Sequence, residues 1–545
     1  MKRILFCSII SVAISALTYA SVNADPEMSN TNPSGVGNAE VEKSGPPNPK
    51  PYVREKSPED LSPKRKPAKD ENTLTFDPNN VDWDKDNRKR IFLADVVVSN
   101  TDPNLTNTDT ENDGETSIAI NPSNPKEITI SALSGTWGDN APIYHTTNGG
   151  QTWTRELTVP RPPGWAAQCP CGWTWDYGRK NQLSVAILAS IQGGASVFRG
   201  GFDIVAGTTT NPGQSTAFNY FVPSGASQAQ EININSPRRA FQPWLLVNHD
   251  PMAWWQDNVY VAWRDLSGAE GAGMRVAVSY GLNPPVFTQN QQVGSLGEGL
   301  RLAKDRRNGT IWALWGIRTG GGEVTNVDYM LNRSTDGGKT WSLNNQSLGT
   351  AIASADITQP LIKFGTVNAL LGGVHHAAVD SKTGALYYVY GNRDAATGNN
   401  RLAIRQITAD RAGNTTIGSE HFVTGQVKTS IPQVAVTNNG TVGVFYYTFD
   451  GFSEDNFPIF TTHLAISKNQ GVTFVDREML TFLSPVKDNR NFLQQALGNY
   501  MQMKSEGNCF YGAFTGNGAA FGRPVANNDP IFFKTCVKPD FKTTS

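Results

Sequence analysis

Short stretches in which apolar and polar residues alternate recur from about residue 91 to the C-terminal region. In each unit a five-residue strand pattern is followed, after a turn, by a second and more aromatic strand. Alternation with a period of two, without long amphipathic helical patterns, predicts an all-β fold. The first strands of the units are predicted at Ser117–Asn121, Trp173–Tyr177, Trp244–Asn248, Leu300–Lys304, His376–Asp380, Gln433–Thr437 and Tyr500–Lys504.

These units start 56 to 76 residues apart, and each has room for about four short strands. One such unit cannot cover both faces of its sheet, whereas a closed ring of units covers them all. We therefore predict a β-propeller with seven blades, with six blades as the alternative. The last unit offers only three strands, and an additional strand pattern, Ile91–Val98, precedes the first unit. We predict that this N-terminal strand completes the seventh blade and closes the ring.

Two cysteines fall on neighbouring predicted strands of the last unit. Cys509 lies on its second strand and Cys536 on its third, with a hairpin turn plausible near Gly522. Antiparallel pairing would place the two residues opposite each other, so we predict a disulfide between them. For Cys169 and Cys171, which are separated by one proline, a strained disulfide, free thiols and a metal pair all stay open; we favour a structural role.

The N-terminal region divides the chain into three parts. Residues 1–24 have a positive start, an apolar run and small residues near Ala24, as in a secretory signal peptide. Residues 25–90 are rich in proline and charge and poor in large apolar residues, which predicts a disordered linker. The propeller then occupies residues 91–545. We expect an exported protein, either secreted, periplasmic or at the cell surface.

Composition narrows the range of partners. The formal net charge is -1, without the basic excess that nucleic-acid binding requires. The chain has no second long apolar stretch, so we expect no membrane span, and we expect a monomer. Asp109–Asp113 resembles the start of a calcium loop, but Ile120 stands where an EF-hand has its bidentate glutamate. A solvated acidic loop is therefore the preferred interpretation, with no metal and no other cofactor.

Three turns share one motif: Thr146–Trp153, Ser334–Trp341 and the more degenerate Ser467–Phe474. All three resemble the Asp box, or BNR repeat, S-x-D-x-G-x-T-W, of sialidase-like bacterial propellers. The resemblance implies that Asn148, Asp336 and Asn469 organise outer turns, and that the closing aromatic residue packs between blades. In that family these turns lie away from the active site, so the motif indicates a fold more than a reaction.

The resemblance does not extend to a true sialidase. Sialidases bind the substrate carboxylate with three arginines, the first of which stands in an Arg-Ile-Pro motif, and they have six blades. Here the only Ile-Pro pair follows Ser430 instead of an arginine. Without that bidentate partner the carboxylate loses its main contact, so a sialidase activity is disfavoured.

Loops that enter the innermost strands of a propeller converge on one end of its central channel, so we expect a functional site to be built from these loops. Candidates for catalysis are Glu115, Glu298, His375, His376 and Tyr500, and candidates for substrate binding are Arg238, Arg239, Gln242 and Gln433. Glu115 and Glu298 suit the acid/base pair of a glycoside hydrolase. Alternatively, one of the two histidines with Tyr500 and Arg239 suits proton abstraction in a polysaccharide lyase.

Two functions therefore remain open. One is an exported glycan-active enzyme, a hydrolase or a lyase, that acts at the channel mouth. The other is a propeller without catalytic activity that binds glycan or protein at the cell surface. Four tryptophans could stack on sugar rings if they are exposed, namely Trp165, Trp173, Trp254 and Trp255. Because propeller cores also contain many tryptophans, these residues do not decide the question.

Overall fold

The computed structural model describes residues 91–96, 114–133, 142–158, 165–191, 202–212, 219–221, 230–231, 240–266, 271–281, 285–287, 290–320, 324–358, 364–370, 373–490, 494–521 and 528–537. Residues 1–24 and 25–90, Arg238, Arg239 and Asp109–Asp113 lie outside this description, and their predictions stay predictions. Within it, no helix is long and apolar enough to cross a membrane.

Seven antiparallel sheets of four or five strands make up the described chain. Blade 1 consists of β2 (Gly114–Ile120), β3 (Ile128–Leu133), β4 (Pro142–Thr146) and β5 (Thr154–Thr158). Blade 2 consists of β6 (Trp165–Tyr177), β7 (Leu183–Ile191), β8 (Phe202–Thr209), β9 (Asn219–Phe221) and β10 (Gln230–Glu231). Blade 3 consists of β11 (Ala240–His249), β12 (Asp257–Asp265), β13 (Gly273–Tyr280) and β14 (Asn290–Ser295).

The remaining blades follow the same plan. Blade 4 consists of β15 (Glu298–Lys304), β16 (Ile311–Thr319), β17 (Val324–Ser334) and β18 (Thr350–Thr358). Blade 5 consists of β19 (His375–Val379), β20 (Leu386–Arg393), β21 (Asn400–Ala409), β22 (Thr415–Ile417) and β23 (His421–Phe422). Blade 6 consists of β24 (Thr429–Val436), β25 (Val442–Phe452), β26 (Pro458–Ser467) and β27 (Val475–Leu483). Blade 7 contains β28 (Gln502–Glu506), β29 (Cys509–Asn517), β30 (Asn528–Cys536) and β1 (Phe92–Asp95), with a 3₁₀ turn at Gly518–Phe521.

The first strand of each blade is the innermost one. Each of these strands contacts the first strand of the next blade, and β28 of blade 7 contacts β2 of blade 1. The ring is therefore closed, and the predicted seven-bladed propeller is confirmed. All seven predicted first strands overlap the observed ones, but the seventh begins at Gln502, so Tyr500 precedes its strand.

The closure of blade 7 also agrees with the prediction. β1 pairs antiparallel with β30, where Phe92 is opposite Lys534 and Asp95 is opposite Ile531. Cys509 and Cys536 are register partners on β29 and β30, and they form a disulfide. β6 contains Cys169 and Cys171, whose side chains are outside the description, so the alternatives for them stay open.

The three Asp-box-like turns each connect the third and fourth strands of a blade. In the clearest of them, Asp336 accepts hydrogen bonds from the Thr340 amide (3.0 Å), the Thr340 hydroxyl (2.6 Å) and the Ser334 hydroxyl (2.9 Å). The aromatic residue packs between blades: the Trp153 ring of blade 1 lies 5.2 Å from that of Phe532 of blade 7. These turns lie at the end of the propeller where the inner strands end.

Candidate functional site

A β-bulge interrupts the beginning of the innermost strand in five of the seven blades. The pairing register shifts at this point in β2, β6, β11, β15 and β24. Each shift contains a residue with positive φ: Glu115 (47°), Gly172 (58°), Gln242 (54°), Gly299 (66°) and Ile431 (53°). Because such a φ is strained for residues other than glycine, the surroundings must hold Glu115 and Gln242 in place. We call these five positions the bulge ring.

Side chains connect the bulge ring from blade to blade. The Gln242 side-chain oxygen accepts a hydrogen bond from the Gly299 amide (3.1 Å). The Gly299 carbonyl is in turn 2.9 Å from His375 Nε2 of the next blade. The bonds of Gln242 and His375, which were predicted as binding and catalytic residues, therefore join neighbouring blades.

Two segments, residues 364–370 and 494–499, interlock above this ring, and we call them the clasp. The Asn368 side chain accepts hydrogen bonds from the amides of Leu497 (2.8 Å) and Gly498 (2.9 Å) and donates one to the Gly498 carbonyl (2.9 Å). Asn368 and Leu497 are fully buried. The clasp reaches the ring at Glu115, where one carboxylate oxygen accepts hydrogen bonds from the Asn499 amide (2.9 Å) and side chain (2.7 Å).

A buried cluster of Arg301, Trp244 and Tyr500 lies directly beneath the bulge ring. The Arg301 guanidinium carbon is 4.8 Å from the ring centroid of Trp244 and 5.1 Å from that of Tyr500. The Tyr500 hydroxyl donates a hydrogen bond to the Trp173 carbonyl (3.0 Å). Burial, together with the charge of Glu115, raises the pKa of Tyr500 well above its usual value, so this phenol stays protonated at neutral pH.

Burial also fixes the protonation of the other candidates for acid/base chemistry. It lowers the pKa values of His375 and His376 to about 3, and the charge of Arg301 acts in the same direction. Both imidazoles are therefore neutral at physiological pH. Burial raises the pKa of Glu115, although the bonds from Asn499 and the charge of Arg301 oppose this. None of these side chains is more than one tenth exposed.

Glu298 lies at the start of β15 and forms an ion pair with Arg318, at 3.0 Å between carboxylate oxygen and guanidinium nitrogen. Arg318 also donates a hydrogen bond to the Leu370 carbonyl of the clasp (2.8 Å). Glu298 is thus buried and engaged in a contact that supports the clasp. The Ser430-Ile431-Pro432 segment, which lacks the sialidase arginine, is itself the bulge of blade 6.

The channel forms a cavity of about 470 Å³ that opens at the opposite end, where the inner strands finish. His376 and Gln433 from the predicted set border this cavity at its inner end, together with Trp244 and Gln502. The mouth carries two ion pairs, Arg306 with Glu506 and Arg179 with Asp257, each at 2.7 Å. The mouth of the channel therefore carries paired charges, and the accessible part of the channel lies at the end away from the clasp.

Midway along this cavity two lysines bind one carboxylate. The carboxylate of Asp176 on β6 accepts hydrogen bonds from Lys304 Nζ (2.7 Å) and from Lys504 Nζ (3.0 Å). Burial alone would raise the pKa of Asp176, but the two ammonium groups hold it well below its usual range. Burial lowers the pKa of Lys504, although Asp176 opposes this. No local sequence signal marks this group, since Asp176 is 128 residues from Lys304 and 328 residues from Lys504.

Trp254 and Trp255 are exposed at the open end. They lie on the loop between β11 and β12, and 69% and 63% of their surfaces are accessible. Asp250 holds the loop in place, because its carboxylate accepts hydrogen bonds from the backbone amides of Met252 (2.8 Å) and Ala253 (2.9 Å). It leads into Asp257, which borders the cavity mouth. The loop therefore carries two exposed aromatic rings shortly before Asp257 in the chain. Trp173, in contrast, is fully buried.

One arrangement elsewhere resembles a catalytic triad. Thr448 Oγ1 is 3.1 Å from His463 Nε2, and His463 Nδ1 is 3.1 Å from Asp476. Thr448 and His463 are buried within the sheet of blade 6, so a substrate cannot reach the hydroxyl. Among the described residues, no group of three or more histidine, cysteine or acidic side chains is placed to hold a metal ion.

Comparisons with known proteins give distant structural similarity only. No protein-family model matches the chain, and no curated protein matches it. A protein of unknown function from Dyadobacter fermentans is similar at 10% identity and a TM-score of 0.38, covering 79% of this chain and 100% of that one. The polysaccharide lyase Uly1 is similar at 10% identity and a TM-score of 0.41, covering 76% and 88%. The NanB sialidase from Streptococcus pneumoniae is similar at 10% identity and a TM-score of 0.35, covering 66% and 68%. At this distance no activity or residue role transfers to this chain.

Proposed function

We propose that this protein is an exported propeller that binds glycans at the open end of its channel and catalyses no reaction on them. The observation that carries the proposal is the contrast between the two ends of the channel. At one end, Glu115 and His375 are buried and engaged in bonds to the clasp and between blades. At the other, the channel opens between charged side chains, and the loop that leads into Asp257 at the mouth carries two exposed tryptophans.

The chemistry of the open end suits a sugar. The apolar face of a pyranose packs on an indole ring, while planar polar side chains beside the ring bind its hydroxyl groups. Trp254 and Trp255 supply the rings, which are nearly perpendicular with centroids 6.1 Å apart. Asp257, at the end of the same loop, and Arg179, from the loop between β6 and β7, supply an acceptor and donors at the mouth.

The test measures binding and turnover on the same purified protein. Neutral and acidic oligosaccharides are titrated while tryptophan fluorescence is recorded, and new reducing ends and unsaturated uronates are assayed in parallel. We expect binding without turnover, and we expect Trp254→Ala combined with Trp255→Ala to weaken binding by about tenfold or more.

Phe452→Ala is the matched control, because Phe452 is an exposed aromatic residue at the end of β25, on the face with the clasp. Its binding should equal that of the unmodified protein. Turnover lost on Glu115→Gln or Glu298→Gln would instead establish an enzyme. Equal binding by the double tryptophan variant would refute the proposed site.

A further inference from the structure

We propose that Lys304 and Lys504 bind the carboxylate of an acidic sugar residue that enters the cavity from its open end. This inference rests on the glycan-binding function proposed above and specifies its ligand class. Both lysines border the cavity, and their side chains are 18% and 24% exposed.

Counting donors shows that each ammonium group has capacity left for a ligand. Lys304 Nζ donates to Asp176 (2.7 Å) and to the Val247 carbonyl (2.7 Å). Lys504 Nζ donates to Asp176 (3.0 Å) and to the Trp175 carbonyl (2.7 Å). Since a lysine ammonium has three N–H groups, these contacts leave one N–H on each lysine. A ligand carboxylate can accept one hydrogen bond from each of these two neighbouring ammonium groups.

The charge balance favours an anion at the same place. Two ammonium groups share the single carboxylate of Asp176, which leaves one positive charge in excess partway along the channel. At the mouth, Arg306 and Arg179 each pair with one acidic residue, so the excess is at the lysines. An uncompensated cation in a partly desolvated channel is unfavourable, and a ligand carboxylate would remove that penalty.

Hydrogen-bond donors also lie deeper in the cavity. Gln502, two residues before Lys504, uses its side-chain oxygen to accept the Ser117 hydroxyl (2.8 Å) and the Ile118 amide (3.1 Å). Its amide N–H groups are therefore the part available to a ligand. His376 Nδ1 accepts the Val434 amide (3.1 Å), which places the proton of the neutral ring on Nε2. This cavity of about 470 Å³ thus combines cations and neutral donors, in a volume suited to a small ligand.

The experiment compares two ligands that differ only in charge. One is a glucuronate-terminated disaccharide, and the other is the same molecule with the carboxylate reduced to a primary alcohol. We expect the acidic sugar to bind about tenfold more tightly at low salt, and this preference to fall as salt is added. Equal affinities would overturn the inference but leave the glycan-binding function in place. Binding of neither sugar would refute both.

Variants then assign the preference to the lysines. Lys504→Gln and Lys304→Gln should each reduce the preference towards one while leaving the affinity for the neutral sugar unchanged, which also verifies folding. Arg306→Gln combined with Glu506→Gln removes the balanced pair at the mouth without changing the net charge, so this double variant should retain the preference. Asp176→Asn removes the competing carboxylate and should increase the preference, a gain that a merely structural role of the lysines does not produce. A preference unchanged in both lysine variants would overturn the inference.

Discussion

Asn499 donates two hydrogen bonds to the same carboxylate oxygen of Glu115, one from its backbone amide and one from its side chain. The two residues are 384 positions apart in the chain, and their contact joins the clasp to the bulge ring. A residue that sequence reasoning proposed for catalysis thus supports the closed end of the channel. Replacing it should reveal this role.

Glu115→Gln should fold normally and be at least as stable as the unmodified protein at neutral pH. A glutamine oxygen still accepts both bonds from Asn499, while the cost of burying a charge disappears. Because the folded state raises the pKa of Glu115, the folded protein protonates this side chain at a higher pH than the unfolded chain does. Protonation therefore stabilises the unmodified protein as the pH falls, and the advantage of the variant should shrink. Urea unfolding at several pH values measures this.

The control for this variant is Glu115→Ala, which leaves the two N–H groups of Asn499 without their acceptor. It should cost about 2–3 kcal/mol of unfolding free energy. A glutamine variant as unstable as the alanine variant at neutral pH would contradict the structural role described here.

Stability should fall on acidification from pH 6.5 because of the two buried histidines. Their pKa values are about 3 in the folded protein, against 6.5 when unperturbed, so the unfolded chain takes up protons that the folded chain does not. The stabilisation is complete above pH 6.5 and decreases by about 1.4 kcal/mol per pH unit for each histidine. His376→Gln should therefore make the dependence shallower by that amount.

The same measurement should also be made on Glu115→Gln variants. Protonation of Glu115 stabilises the folded protein on acidification, whereas protonation of the histidines destabilises it, and the two effects overlap in pH. An unchanged slope for His376→Gln in both backgrounds would show that His376 is already protonated in the folded state.

The disulfide between Cys509 and Cys536 should stabilise the protein through the 27-residue separation that it spans. Replacing both cysteines with serine should lower the unfolding free energy by about 3–4 kcal/mol, the loop-closure value for that length. Reductant should bring the unmodified protein to the stability of the variant and leave the variant unaffected. If reductant destabilises both equally, the bond is not the source of the difference.

Deleting the closing strand should destabilise blade 7 and expose an edge. A chain that starts at residue 97 lacks β1, and with it the buried Phe92 and Ala94 that pack in the cluster with Phe532. We expect a loss of about 3–5 kcal/mol and self-association through the uncovered β30. Thermal unfolding and light scattering measure both effects. The matched control starts at residue 91, and equal behaviour of the two chains would show that β1 does not close the ring.

The sequence predicted what depends on local periodicity and spacing. Alternating strands every 56 to 76 residues specified a blade repeat, and the three-strand last unit with Ile91–Val98 specified how the ring closes. The pairing of Cys509 with Cys536 followed from their positions on neighbouring strands. These features were predictable because the alternation within a strand and the turn after it are local in sequence. The partner of each strand follows from the order and number of strands in the repeat.

The accessibility of polar residues was decided only by the tertiary structure. Glu115 and His375 stand at the start of inner strands, which is a matter of sequence position, but the bulges and the clasp that bury them depend on contacts between distant parts of the chain. Likewise, Asp176, Lys304 and Lys504 meet only because three inner strands face one axis. Burial and charge pairing are properties of the closed ring, so no single blade sequence contains them.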